Sequence, residues 1–372
     1  MNYGEKIRQA REVRGLTQQE LADKIKKSKA IIAQVEGGFK LASDDLLASI
    51  ADATEFPISF FSEPIHAEFP IPDLFFRSRS SIKRREVVDA VRWAEHVFHL
   101  GCFLASKVRR IPVQIPSGAH DPHSAARSTR RAMQMSSNEP IPHLVRSLER
   151  AGLWFIAIPP AKAHDAFCVW MNVGDLEVPI IAATVDAAPD RFRLSVAHEL
   201  GHLVMHKNLL RKSQKEVEGE AFQFGAEFMM PESAMRKELI APITLTNIAR
   251  LKPRWGVSIQ ALIRRANDLN IITTRQYHYL FHQLSALGWK TEEPASLQVP
   301  IEKPRLLRKM AEIVYGSPIN YRKFSSDVHL SEQELRSIMS EYADERDVNP
   351  TQGPQVSPKV VRFPRGARVV SS

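Results

Sequence analysis

The residue pattern predicts a mainly α-helical chain of the α+β kind, with one small sheet near its middle. Three observations carry that expectation. Apolar residues recur at helical spacing in four short segments within the first 62 residues. Between residues 153 and 184 the pattern changes to short apolar runs divided by turn residues. Helical spacing then returns over residues 190–206 and 215–228, and continues in shorter pieces to about residue 342. At 372 residues the chain is long enough for two or three domains, each with its own core.

Ile7, Ala10 and Val13 give the first helix its apolar side, and Gly15 ends it. Thr17 and Glu20 make a capping box that opens a second helix, with Leu21, Ala22 and Ile25 inward. A third helix buries Ile32 and Val35 and stops at Gly37 and Gly38. Ser43 caps a fourth, which carries Leu46, Leu47, Ile50 and Ala51. A short helix, a tight turn and a second short helix can set the third helix in a DNA major groove. A generic helical bundle has the same periodicity, so spacing alone does not choose between them.

Residues 57–72 form a proline-rich connector in which no helix persists, and 74–80 lead out of it. A long amphipathic helix is expected over 83–108 through Val87, Val91, Ala94, Phe98 and Ala105, as a brace between domains. Residues 111–125, with Pro112, Pro116 and Pro122, read as a loop. A helix at 140–150 turns Leu144, Val145 and Leu148 inward, and Gly152 separates it from a strand at 153–158. Strands at 166–172 and 178–184 flank the turn Val173, Gly174 and Asp175 as a hairpin.

The helix expected at 190–206 contains His198-Glu199-Leu200-Gly201-His202. Histidines four apart share one helical face, so both imidazoles can reach one metal ion. Glu199 then stands where a carboxylate can take a proton from a metal-bound water. Two ligands rarely hold zinc, so a third is required. His206 is set aside because eight residues carry it about 12 Å along the axis from His198, at roughly 1.5 Å per residue. Glu220 is the better candidate. It lies on the stripe formed by Val217, Ala221, Phe224 and Phe228, where a carboxylate is costly unless paired or bound to metal. Glu216 and Glu218 read as solvated charges, and Glu227 sits two turns further along.

The words HELGHLVMH and, downstream, EAFQFGAEFMMP resemble the ImmA/IrrE family of zinc metallopeptidase-like proteins. The resemblance extends to the segments PIPHLVRSLERAG and DAFCVWMN and to YHYLFHQLSALGWKTEEP. It implies a zincin-like α+β domain with Zn2+ held by His198, His202 and Glu220, and with Glu199 as general base. Phe222 departs from the small polar residue usual there, at a position that is not a ligand. RQAREVRGLTQQELADKI and IIAQVEGG resemble the helix-turn-helix of XRE-type regulators. That resemblance implies that Gln18 and Ser28 touch DNA phosphate, that Lys29, Ala30 and Gln34 face base edges, and that Glu36 is structural.

The net charge of +9 is unevenly placed. Residues 1–62 balance nine basic against nine acidic side chains, whereas residues 77–131 hold twelve basic and four acidic. The second stretch suits a polyanion such as DNA, or is simply a solvated helical face. Because the N-terminal domain is neutral overall, tight DNA binding would need a homodimer or this basic segment. Cys102 and Cys168 stand far apart, outside any C-x-x-C arrangement, and read as buried free thiols of a reducing cytoplasm. No apolar run approaches a membrane span and residues 1–5 open no signal peptide. His278 and His282 are again four apart, but without an adjacent acid they read as packing or surface residues.

The expected organisation is a DNA-binding domain at 1–62, a basic helical linker at 63–132 and a metallopeptidase domain at 133–290. An accessory helical segment follows at 291–346, including a capping box from Ser331 to Glu334, and then a disordered basic tail at 347–372. The expected function is a cytoplasmic transcriptional regulator that reads double-stranded operator DNA. Its zinc-dependent peptidase would cleave a repressor or another protein partner. The alternative is a non-catalytic autorepressor or antitoxin, paired with a toxin, whose metal site is structural or senses a ligand.

Overall fold

The computed structural model describes residues 3–62, 69, 84–159, 166–184, 188–207 and 212–343. Most of the proline-rich connector, the stretch 74–80 and the basic tail 347–372 lie outside those residues.

Four helices, α1 (Gly4–Val13), α2 (Gln18–Lys24), α3 (Lys29–Glu36) and α4 (Asp44–Thr54), pack around Ile7, Ala10, Leu21, Ile32 and Ile50. Their ends are set locally. The Thr17 hydroxyl accepts the Glu20 N–H at 3.1 Å while the Glu20 carboxylate accepts the Thr17 N–H at 2.6 Å. Ser43 accepts from Leu46 N, and Gly15, at φ +67°, takes the left-handed turn that ends α1. Arg11 ties α1 to α3 by a two-pronged bond to Glu36, at 2.6 and 3.0 Å.

The long helix α5 (Arg84–Ala105) is buried along most of its length, with α1 on one side and the sheet on another. That suits a brace. Its Arg92 donates to Glu12 of α1 and to Glu95, each at 2.7 Å. The basic stretch is therefore partly spent inside the protein. Arg92 and Arg130 are buried, and Arg130 donates to the carbonyls of Phe228 and Glu139, at 2.9 Å each. Lys107, Arg109, Arg127 and Arg131 remain exposed.

The loop expected at 111–125 is cut short by α6 (Pro122–Ala132). Pro122 starts this helix rather than breaking it. At the first helical position its missing N–H costs nothing, and the Asp121 carboxylate caps the turn by accepting from Ser124 N at 2.7 Å.

After α7 (Leu144–Arg150) come β1 (Trp154–Ile158), β2 (Ala166–Val173) and β3 (Leu176–Thr184), in the order β1-β3-β2. β2 and β3 form the expected hairpin around Gly174, at φ +63°, and β1 runs parallel to β3. The outer side of β1 is bound by distant residues. Trp93 donates to Ala157 O at 3.0 Å, and the Tyr342 hydroxyl accepts from Ala157 N at 3.1 Å.

Beneath the sheet lies α8 (Pro189–Met205), crossed by α9 (Gln214–Met229). The helices α10 (Glu232–Glu238), α11 (Leu245–Ala249), α12 (Lys252–Trp255), α13 (Ile259–Asp268) and α14 (Thr274–Ala286) follow. Lys252 anchors the start of α8, its ammonium lying 2.5 Å from both Asp190 and Glu293. Arg193, also on α8, pairs with Glu302. Among the described residues no helix is long and apolar enough to cross a membrane.

The last helices, α15 (Leu306–Tyr315), α16 (Tyr321–Val328) and α17 (Glu332–Ser340), return to α5 and the first domain. Ser331 caps α17, but the Glu334 carboxylate does not complete the capping box. It accepts instead from Arg14 of α1 at 2.8 Å and faces His96 of α5 at 3.4 Å. Burial would raise its pKa, but His96 and Arg14 together outweigh that and hold it down at about 2. A carboxyl depressed on folding adds stability that is fully present above its unfolded pKa and lost as pH falls through the folded one. Glu334→Gln is therefore expected to lower the stability of the full chain by about 1–3 kcal/mol at neutral pH. Thermal unfolding from pH 7 to pH 3 should show the gap to wild type narrowing below pH ~4.5. A gap that stays constant would contradict the pairing.

Candidate metal centre

His198 and His202 occupy successive turns of α8, and their Nε2 atoms lie 3.1 Å apart. Ligand atoms of His198, Glu199 and His202 all fall within 4.8 Å of one another. The face expected from the spacing thus exists, with Glu199 beside the imidazole pair.

The α9 carboxylate nearest the two Nε2 atoms is not the one expected. Glu218, read from the sequence as a solvated charge, presents Oε2 to His198 Nε2 at 3.3 Å and Oε1 to His202 Nε2 at 3.5 Å. Glu220 is turned away from the imidazole pair's Nε2 atoms. Its carboxylate meets His206 Nε2 at 2.9 Å and Lys212 Nζ at 2.7 Å. The helix crossing gives the reason. α8 and α9 approach through Gly201 and Gly225: a Cβ on Gly225 would lie 3.2 Å from His198 N, and one on Gly201 3.1 Å from Ala221 O. Glu218 precedes Gly225 by seven residues, two helical turns, so it shares the side that meets α8. Glu220 is displaced by two residues, or about 200° around the axis.

His206 does stay off the Nε2 cluster, as its axial distance required. It lies instead behind His202, with the two Nδ1 atoms 3.0 Å apart. His202 and His206 are 2% and 1% exposed as side chains, whereas His198 keeps 22%, so the site opens on the His198 side. Burial lowers the pKa of His206 against the raising effect of Glu220. For Glu218, burial is overcome by its contacts with His198 and His202, and its pKa falls well below the usual carboxylate range.

The donor set fits zinc. Ligands at 2.0–2.1 Å in a tetrahedron stand about 3.3 Å apart. His198 Nε2 and His202 Nε2 stand 3.1 Å apart, and each faces a different oxygen of Glu218, Oε2 at 3.3 Å and Oε1 at 3.5 Å. Glu218 Oε1 is also a buried atom with no hydrogen-bond partner, which is costly without a cation. Two histidines and one carboxylate leave a fourth position open, as a hydrolytic zinc site requires.

On the first domain, Ser28, Lys29, Ala30 and Gln34 are exposed together on α3 and the turn before it. Gln18 is committed within the domain, since its amide donates to Glu36 Oε2 at 2.8 Å. Glu36 is structural, held by Arg11 and Gln18. His278 and His282 are exposed on α14, and both cysteines are free, Cys168 buried and Cys102 half-buried.

Two family models match the chain. Residues 7–61 match the helix-turn-helix family, and residues 148–267 match the family of the IrrE N-terminal-like domain, a peptidase family. No curated protein matches the chain. The first match covers α1 to α4 and the turn at Ile58–Ser62, and the second covers the sheet, α8 and α9. The chain thus joins a helix-turn-helix domain of DNA-binding regulators to a metallopeptidase-like domain.

Glu218→Ala is expected to weaken zinc binding a thousandfold or more, because it removes the carboxylate that lies within 3.5 Å of both imidazoles. Competition against a chromogenic chelator measures this. An affinity within threefold of wild type would place the third ligand elsewhere.

Proposed function

We propose that this chain is a cytoplasmic transcriptional regulator whose zinc-dependent peptidase domain cleaves a protein partner, such as a repressor. Two imidazoles 3.1 Å apart, bridged by the two oxygens of Glu218 and with Glu199 alongside, carry this reading. Ser28, Lys29, Ala30 and Gln34 face double-stranded operator DNA, with the chain acting as a homodimer to offset its neutral first domain.

His198, His202 and Glu218 would hold the zinc, which would supply a Lewis acid for the carbonyl and for the attacking water. Glu199 takes the proton of the attacking water and delivers it to the departing amine nitrogen. The edge strand β2 packs on α8, so a partner segment laid along it in extended form brings a peptide bond to the imidazole pair. The half-buried Glu199 and the open side at His198 favour a single cut in a docked segment over general degradation.

Glu199→Gln tests the reading. In cells and with purified protein, it is expected to keep zinc content and operator binding while cleavage of the partner and derepression fall at least a hundredfold. Unchanged cleavage and derepression would favour a non-catalytic autorepressor or antitoxin whose metal site is structural.

A further inference from the structure

We propose that His206 and Glu220 form a buttress behind the metal centre, fixing the ring of His202 so that only its Nε2 is offered to the ion. The inference rests on the zinc reading above and concerns residues that do not touch the metal, the water or the substrate.

Three contacts set the proton positions in sequence. His202 Nε2 faces His198 and Glu218, so it is the bare nitrogen when an ion is held there, and the ring proton belongs on Nδ1. That N–H points at His206 Nδ1, 3.0 Å away. Only one of two facing nitrogens can carry a proton, so His206 Nδ1 accepts and its own proton sits on Nε2. There it meets Glu220 Oε2 at 2.9 Å. Glu220 offers oxygen acceptors on this side, with Lys212 Nζ donating to both of them at 2.7 Å. The opposite tautomer of His206 would set two N–H groups against each other and turn a lone pair toward a carboxylate. Glu220 therefore selects the tautomer of His206, and His206 selects that of His202.

The backbone places the parts. His206 is the first residue beyond α8, and its N–H still donates to His202 O at 2.9 Å, so one more helical turn sets its ring beside that of His202, tilted by 53°. Both rings are nearly sealed from solvent, so water does not replace these bonds. Partners of this kind orient a metal-binding imidazole and raise its basicity. Here an uncharged imidazole stands between ligand and carboxylate.

The test uses the full chain and three variants: His206→Leu, His206→Gln and Glu220→Ala. Zinc affinity is read by chelator competition, and the tautomers by 15N-histidine NMR of the zinc-loaded protein. His206→Leu is expected to weaken zinc by about 10–100-fold and to lose the slowly exchanging His202 Nδ1–H signal. His206→Gln, whose side-chain oxygen can accept that N–H, is expected to recover most of the affinity. Glu220→Ala, on a partly exposed side chain, is expected to cost about tenfold and serves if His206→Leu does not fold. Wild-type affinity and an unchanged N–H signal in both His206→Leu and Glu220→Ala would overturn the buttress and leave the zinc reading standing. A wild-type chain that binds no zinc would overturn both.

Discussion

Two helices cross at a point where neither carries a side chain. Gly201 on α8 and Gly225 on α9 let the backbones approach until a methyl group would stand only 3.1–3.2 Å from the facing main chain. That crossing decides which carboxylate of α9 looks at the imidazoles of α8. Had either glycine been larger, the helices would stand further apart, and a carboxylate two turns away could not reach two Nε2 atoms at once. The metal chemistry proposed for this chain is thus a consequence of backbone packing. The charged groups at the start of α8, where Lys252 holds Asp190 and Arg193 pairs with Glu302, fix the helix along its axis.

The same body grips the DNA-reading domain from behind. α1 lies on the long helix α5, where Arg92 meets Glu12, and the C-terminal helix α17 adds Glu334 to Arg14. Exposed residues of α3 are left facing outward. The buried ion pairs connect three parts of the chain that are remote in sequence, so the reading domain and the metal domain share one scaffold. Arg92 and Arg130 turn part of the basic segment's charge inward, onto carboxylates and carbonyls of the same molecule.

Much of this was legible from local pattern. Thr17, Ser43 and Gly15 mark helix ends because a cap or a left-handed turn depends on residues within one turn of chain. The pair His198 and His202 was legible for the same reason, since four residues bring side chains to one face. What failed depended on partners far along the chain. Pro122 is the exception, a local misreading: it opens α6 behind its adjacent cap Asp121. Ser331 and Glu334 read as a capping box, yet Arg14 competes for the carboxylate and wins. The apolar stripe points to Glu220, but that stripe marks the core. The close crossing is marked by small residues, and Ala221 and Gly225 on the side of Glu218 were the available signal. His206 was judged only by its distance from His198, which missed its place behind His202.

The most direct measurement is a crystal structure of the zinc-loaded chain with anomalous scattering recorded at the zinc edge. One peak is expected, about 2.0–2.1 Å from His198 Nε2, His202 Nε2 and a Glu218 oxygen, with Glu199 beside the fourth position. A peak ligated by Glu220 or His206, or no peak at a stoichiometric zinc load, would contradict the account.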